Sequence, residues 1–284
     1  MEVAWYADIE DFLGATLEYL KREEALNNLM LGLALRLRRE PDFYEKVHLA
    51  ALFQAKQLRL AALMTEPENL VIYGTAPLAA SELNIFCSAL LERNLPMPGV
   101  VGPKKLAAGF AAVWQRLAHC TAELKMQMRV LELRRVDRSL IGPGRLRPVQ
   151  AADFDFLLAA IRQFYKETGL NPDPDREMCR RAAQSYIKSQ AAFVWEHQGR
   201  VVSLAAKSRA TGRGIAVNLV YTPQNLRKRG YATSCVAALS QKLLDAGFEF
   251  CTLFADLKNP TANRIYLQIG YEPAGDFCSY SFSS

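Results

Sequence analysis

Two short runs, Asn69-Leu70-Val71-Ile72-Tyr73 and Asn218-Leu219-Val220-Tyr221, stand about 149 residues apart in a chain of 284 residues. The pattern around them recurs as well. Each half reads as two helices, three strands, a helix, a strand, a helix and a strand. A period this long points to a tandem domain rather than a solenoid repeat, and the length is comfortable for two domains. The competing account is an unrelated α/β domain in the first half.

In the first half, Leu13, Leu17, Leu20 and then Leu26, Leu29, Leu33, Leu37 recur at helical spacing, so residues 8–39 read as two helices ended by Pro41. Val47–Phe53 and Leu58–Met64 form a hairpin and Asn69–Tyr73 a strand. Helices over Ala79–Arg93 and Lys104–Leu117 flank a short strand at Gly99–Val101. Lys125–Arg134 reads as a long strand. The turn cluster Ile141-Gly142-Pro143-Gly144 marks the boundary, giving domains 1–140 and 141–284. In the second half a strand at Arg145–Pro148 precedes a helix with Asp153 as its N-cap. A second helix covers Arg176–Ser189. Strands Ala192–Glu196 and Val201–Ser208 pair across Gln198-Gly199, and Ile215–Tyr221 follows. A helix from Thr233 to Ala246, a strand Phe250–Ala255 and a helix Pro260–Ile269 lead to a final hairpin through Glu272–Gly275.

Half the residues are hydrophobic, enough for sizeable cores, yet no run of 18 apolar residues exists, so no membrane span is expected. The first residues turn acidic at once, unlike a secretory signal. The six cysteines form no Cys-x-x-Cys pair and read as reduced structural thiols, which points to a cytoplasmic protein. Three scattered histidines give no metal site. The net charge of +6 lies entirely in the second half: residues 1–144 hold 17 basic and 17 acidic side chains, residues 145–284 hold 18 and 12. A basic half suits an anionic ligand, and equally an ordinary solvated surface.

The ligand chemistry concentrates after Tyr221. A strand, Thr222-Pro223 and then Arg227-Lys228-Arg229-Gly230-Tyr231-Ala232-Thr233 feed an apolar-periodic helix. Backbone N–H groups at a helix start lack partners and sit at the positive end of the macrodipole, which makes a pyrophosphate cradle. Gly230 lets the main chain approach, Ala232 keeps bulk away, and Arg227, Lys228 and Arg229 attract phosphates. After the next strand comes Asp256-Leu257-Lys258-Asn259-Pro260, then Tyr266 and Gly270-Tyr271.

Together these residues resemble the GNAT superfamily of N-acetyltransferases. Arg227 through Ala232 match its Gln/Arg-x-x-Gly-x-Gly/Ala pyrophosphate motif. Asn259, Tyr266 and Gly270-Tyr271 match its second mark, an Asn, a Tyr seven residues on and then Gly-Phe/Tyr. The whole chain is similar to tandem members whose first copy has lost the motif. The resemblance implies an α/β (α+β) fold of two GNAT-like domains, each a mixed, mainly antiparallel twisted sheet flanked by helices. It implies acetyl-CoA as co-substrate and a primary amine, on a small molecule or a protein, as acceptor. Main-chain groups of Leu219, Val220 and Tyr221 would hold the pantetheine arm like an added strand, where the two central strands splay. A backbone N–H near Leu219 or Val220 would polarise the thioester carbonyl. Amides from Lys228 to Thr233 would bind pyrophosphate, and Asn259 the coenzyme arm. Tyr266 would protonate the departing thiolate.

One departure stands out. Many family members carry a carboxylate, the general base, on the strand five residues before the Asn; here that position is Phe254. Asp256, Glu167, Glu196 or a water chain are left for the role. The acceptor would lie near the first helix of the domain and the Asp173/Asp175 loop. Gly74-Thr75-Ala76-Pro77-Leu78-Ala79-Ala80 stands where the first half would need a phosphate loop. It has no basic side chain, and its proline removes a donor, so no coenzyme is expected there. Aminoacyl or longer-acyl transfer and a non-catalytic acyl-CoA-binding role are the alternatives. No lysine-rich helical arm is visible, so a nucleic-acid partner is not expected.

Overall fold

The computed structural model describes residues 1–74 and 77–283. The chain divides into two compact units: Met1–Val130 with Pro273–Ser284, and Leu131–Glu272.

The first unit opens with a strand absent from the sequence reading, β1 (Glu2–Tyr6). It continues α1 (Ile9–Leu20), α2 (Asn28–Arg39), β2 (Val47–Gln54), β3 (Gln57–Thr65), β4 (Leu70–Tyr73), α3 (Ala80–Glu92), β5 (Gly99–Pro103), α4 (Lys104–Ala118) and β6 (Thr121–Leu133). The second repeats that order: β7 (Arg145–Pro148), α5 (Phe154–Thr168), α6 (Arg176–Ser189), β8 (Ala192–His197), β9 (Arg200–Ala210), β10 (Gly214–Tyr221), α7 (Tyr231–Asp245), β11 (Phe250–Asp256), α8 (Pro260–Ile269) and β12 (Glu272–Ser283). The duplication expected from the two short runs therefore holds element by element, including β1, whose counterpart is β7.

In the first unit β1, β2, β3 and β4 pair antiparallel in turn, and β4 and β5 run parallel. In the second, β7, β8, β9 and β10 pair antiparallel and β10 and β11 run parallel. Strand pairing within each unit is thus mixed and mainly antiparallel, as expected, and its parallel step is the one crossed by a helix. In the second unit α7 and α8 cover one face over Val217, Val236, Leu239, Leu253 and Ile269. α5 and α6 cover the other over Leu157, Ile161, Cys179, Leu204 and Leu219. Alternate strand residues feed opposite cores, as the period of two requires.

Two expectations are corrected. The final hairpin is one long strand, β12, whose residues Phe277 to Ser281 pair antiparallel with Pro103 to Gly99 of β5. The last strand of the second copy is built into the first unit, where Phe282 lies 6.4 Å from Phe110 and 6.0 Å from Trp114. Gly275 is not a turn: a Cβ there would come within 2.6 Å of Leu26, so it is small for close packing. Conversely β6 ends in the second unit, with Leu131 and Leu133 buried in its core. Asp153 does not cap α5. Its carboxylate accepts from the Gln150 N–H at 2.8 Å and from Arg147 at 2.6 and 2.9 Å, because the chain makes a single 3-10 turn before the helix.

Candidate coenzyme and acceptor site

β10 loses its regular register where the sequence pointed. Asn218 faces Ala206 of β9 and Tyr221 faces Leu204, so Leu219 and Val220 together oppose Ala205. That is a β-bulge, and Leu219 at its centre has φ +50°, a conformation a bulky residue seldom takes. On the other side, β10 and β11 pair at Gly214, Ile215 and Ala216. Among the described residues the paired register ends there, so residues 217–221 leave a ladder edge that could accept an extended ligand arm. Ser203 fixes the far end of the bulge: its hydroxyl donates to the Tyr221 carbonyl at 3.2 Å and meets the Thr222 hydroxyl at 2.9 Å. Sequence reasoning missed this pair; the only signal was one serine within the apolar run Val201-Val202-Ser203-Leu204.

After a single 3-10 turn at Gln224–Leu226, Lys228 (φ +63°) and Gly230 (φ +78°) both adopt left-handed backbone. Gly230 is the N-cap of α7, with no side-chain cap on the first turn. A Cβ at Gly230 would meet nothing within 4 Å, so the backbone angle, not crowding, calls for glycine. Among the described residues no side chain caps the N–H groups of Tyr231, Ala232 and Thr233, which are left to solvent or ligand. Lys228 and Arg229 are exposed and make no ion pair among the described residues. Tyr231 packs on His197, ring centroids 5.3 Å apart.

Asn259 is the N-cap of α8: its Oδ1 accepts from the Ala262 N–H at 3.0 Å, leaving its amide N–H groups without a protein partner among the described residues. Asp256 accepts from the Lys258 N–H at 2.9 Å and so ties the turn. Asn263 locks the same turn by donating to the carbonyls of Asp256 and Asn259 at 2.7 and 2.8 Å. Tyr266 lies in the core between sheet and α7, edge-on to Tyr271 at 5.9 Å. Burial pushes its phenol up to about 12, so it stays protonated through the neutral range and can give a proton.

The three carboxylates left as candidate bases are each engaged. Glu196 is gripped by Arg147 and Arg145, each at 2.7 Å, and those guanidiniums hold it below the usual carboxylate range, which makes it a weak base. Glu167, on the last turn of α5, takes both oxygens to Arg227 Nη2 at 2.9 and 2.6 Å. Arg227 also donates from Nε to the Thr222 carbonyl at 2.9 Å, and its guanidinium lies 5.8 Å from the Tyr221 ring centroid. Among the described residues no group of three or more His, Cys, Asp or Glu is placed to hold a metal. No helix there is long and apolar enough to cross a membrane.

This architecture, one strand order repeated in both units with a bulged strand feeding a helix start that has no side-chain cap in the second, is the fold of solved tandem GNAT proteins. Residues 196–279 match the family model described as FR47-like protein. A Drosophila protein solved by structural genomics matches over 98% of both chains at 10% identity and TM-score 0.66. A GNAT-family acetyltransferase from Colwellia psychrerythraea matches over the whole of both chains at 11% identity and TM-score 0.58. A tandem GNAT protein from the clavulanic acid biosynthesis pathway matches over 99% of this chain and 98% of its own, at 11% identity and TM-score 0.58. No curated protein matches the chain.

Proposed function

We propose that the second unit is an acyl-CoA-dependent N-acyltransferase that moves an acetyl group from acetyl-CoA to a primary amine, carried by a small molecule or a protein. One observation carries this reading: the bulge at Leu219 and the open start of α7 at Gly230 lie at the two ends of one strand-to-helix connection. The first offers main-chain groups to the pantetheine arm and the second offers N–H groups to the pyrophosphate. Lys228 and Arg229 add charge beside the phosphates. The Asn259 amide is free to donate to the arm.

The reaction is direct transfer in a ternary complex. The amine nitrogen attacks the thioester carbon, the oxyanion leans on a bulge N–H, and the C–S bond breaks as the carbonyl re-forms. The sulfur takes its proton from Tyr266, the nitrogen releases one to solvent, and solvent returns a proton to the tyrosinate. With Glu196 and Glu167 held by arginines and Asp256 tying its turn, a water chain is the remaining candidate for taking that proton.

Calorimetric titration of acetyl-CoA into the wild type and Gly230→Glu tests the coenzyme assignment; equal affinity in both would sink it. Thiol release with a panel of amines then separates transfer from passive binding. Turnover with longer acyl or aminoacyl donors in place of acetyl would redirect the donor, and binding without turnover on any amine would favour a regulatory binder.

A further inference from the structure

Arg227 opens the phosphate loop in sequence, yet its guanidinium is spent elsewhere. Nη2 serves both oxygens of Glu167 on α5, Nε serves the carbonyl of Thr222, and the planar group faces the Tyr221 ring. Gln224 reaches the same carboxylate at 3.4 Å. Three elements therefore meet on one side chain: the end of α5, the bulged end of β10 and the loop that leads to Gly230. A guanidinium with its donors aimed at a carboxylate and a carbonyl has a fixed orientation.

The first unit is an internal control. Its counterpart of Tyr221 is Tyr73, and the Tyr73 hydroxyl bonds directly to Glu23, just past the first helix of that unit. The tyrosine and the carboxylate recur in both copies. The arginine between them occurs only in the copy with the open helix start.

We propose that Arg227 is a positioning residue rather than a phosphate ligand: through Glu167 it ties α5, the helix leading to the Gly169–Asp175 loop, to the coenzyme loop. Coenzyme on the loop then steadies the end of α5, and with it the acceptor side of the site. This inference rests on the coenzyme reading above.

The test uses the full chain and CoA itself. CoA affinity and amide hydrogen exchange are measured for the wild type, Arg227→Ala, Glu167→Ala, and the swapped pair Arg227→Glu with Glu167→Arg. Arg227→Ala and Glu167→Ala are expected to change CoA affinity by similar factors, within about threefold of each other, as members of one coupled pair do. CoA should slow exchange over residues 164–169 in the wild type and the swapped pair, but in neither single variant. A tenfold or larger loss of CoA affinity in Arg227→Ala that Glu167→Ala does not share would overturn the inference while leaving the coenzyme reading intact. So would protection over 164–169 that survives Arg227→Ala. Absence of CoA binding by the wild type would overturn the coenzyme reading itself.

Discussion

The helices that follow the parallel-paired central strands, α3 in the first unit and α7 in the second, begin with opposite electrostatics. At the start of α3 the Glu82 carboxylate reaches back to the Ala79 N–H at 2.8 Å, and Arg59 grips it at 2.9 Å. Arg59 holds Glu82 below the usual carboxylate range, with the Ala79 N–H helping. The positive end of that helix already carries an anion from its own chain. At the start of α7 no side chain caps the helix among the described residues, Gly230 caps in left-handed backbone, and two cations stand outside. The strands before them differ in the same sense: β4 runs in unbroken register beside β3, whereas β10 bulges. One duplicated scaffold thus keeps a satisfied helix start in one copy and an unsatisfied one in the other. An unsatisfied helix start is a ready-made anion site.

The largest way to break this comparison is to remove what the two copies share. Deleting Pro273–Ser284 takes from the first unit a strand that covers the β5 edge, and with it buried Phe277 and Cys278 and the Phe282 ring. Losing two such rings alone costs roughly 3–6 kcal/mol, a large share of a domain's stability. Urea unfolding should show the first unit melting early. A truncated chain with an unchanged first transition would show that β12 is dispensable there.

Gly230→Glu attacks the second copy's distinction. The substitution forces a side chain into left-handed backbone and places a carboxylate where the proposed function puts the pyrophosphate. Strain and repulsion together should raise the acetyl-CoA Kd on the order of a thousandfold. Since nothing lies within 4 Å of the added Cβ, the loss of stability should be confined to the left-handed backbone, about 1–2 kcal/mol.

Tyr266→Phe should lower kcat by about a hundredfold with coenzyme affinity kept, the size of a lost general acid. The wild-type rate should not fall on the Tyr266 titration before strongly alkaline pH, because burial has raised that phenol to about 12. The same shift favours the protonated folded state. Its contribution to stability is complete below the ordinary tyrosine value and is lost as pH rises through the raised one. A rate limb near neutrality that disappears in Tyr266→Phe would contradict this assignment.

Much of this was legible in the sequence because it is local. Leu13, Leu17 and Leu20 announce a helix, and Gly230 beside Lys228 and Arg229 announces an anion site, without any partner being known. What stayed hidden depends on distant partners. Arg227 and Glu167 are sixty positions apart in the sequence, so a motif reading gives the arginine to the phosphates by default. Pro273-Ala274-Gly275 reads as a turn until Leu26 is seen against Gly275. Asp153 reads as a helix cap until Arg147 claims it. The bulge itself has no compositional mark, since Leu219 and Val220 are ordinary strand residues forced out of register.

The smallest effect sharpens the comparison most. Glu82→Gln keeps the shape of the α3 start while removing the resident charge, so the Arg59 guanidinium loses its ionic partner and the Ala79 N–H its charged acceptor. Charge-assisted hydrogen bonds of this kind are worth about 1.5–3 kcal/mol, and the side chain is nearly buried, so the first unit should lose roughly 2 kcal/mol in urea unfolding. If the resident carboxylate alone kept coenzyme away, the variant would also gain CoA binding at a second site. None is expected: β4 lacks the bulge that presents a pantetheine edge, and Pro77 removes one donor from the connection. Calorimetry should therefore still count one CoA per chain. Two per chain would mean that Glu82 alone separates the two copies.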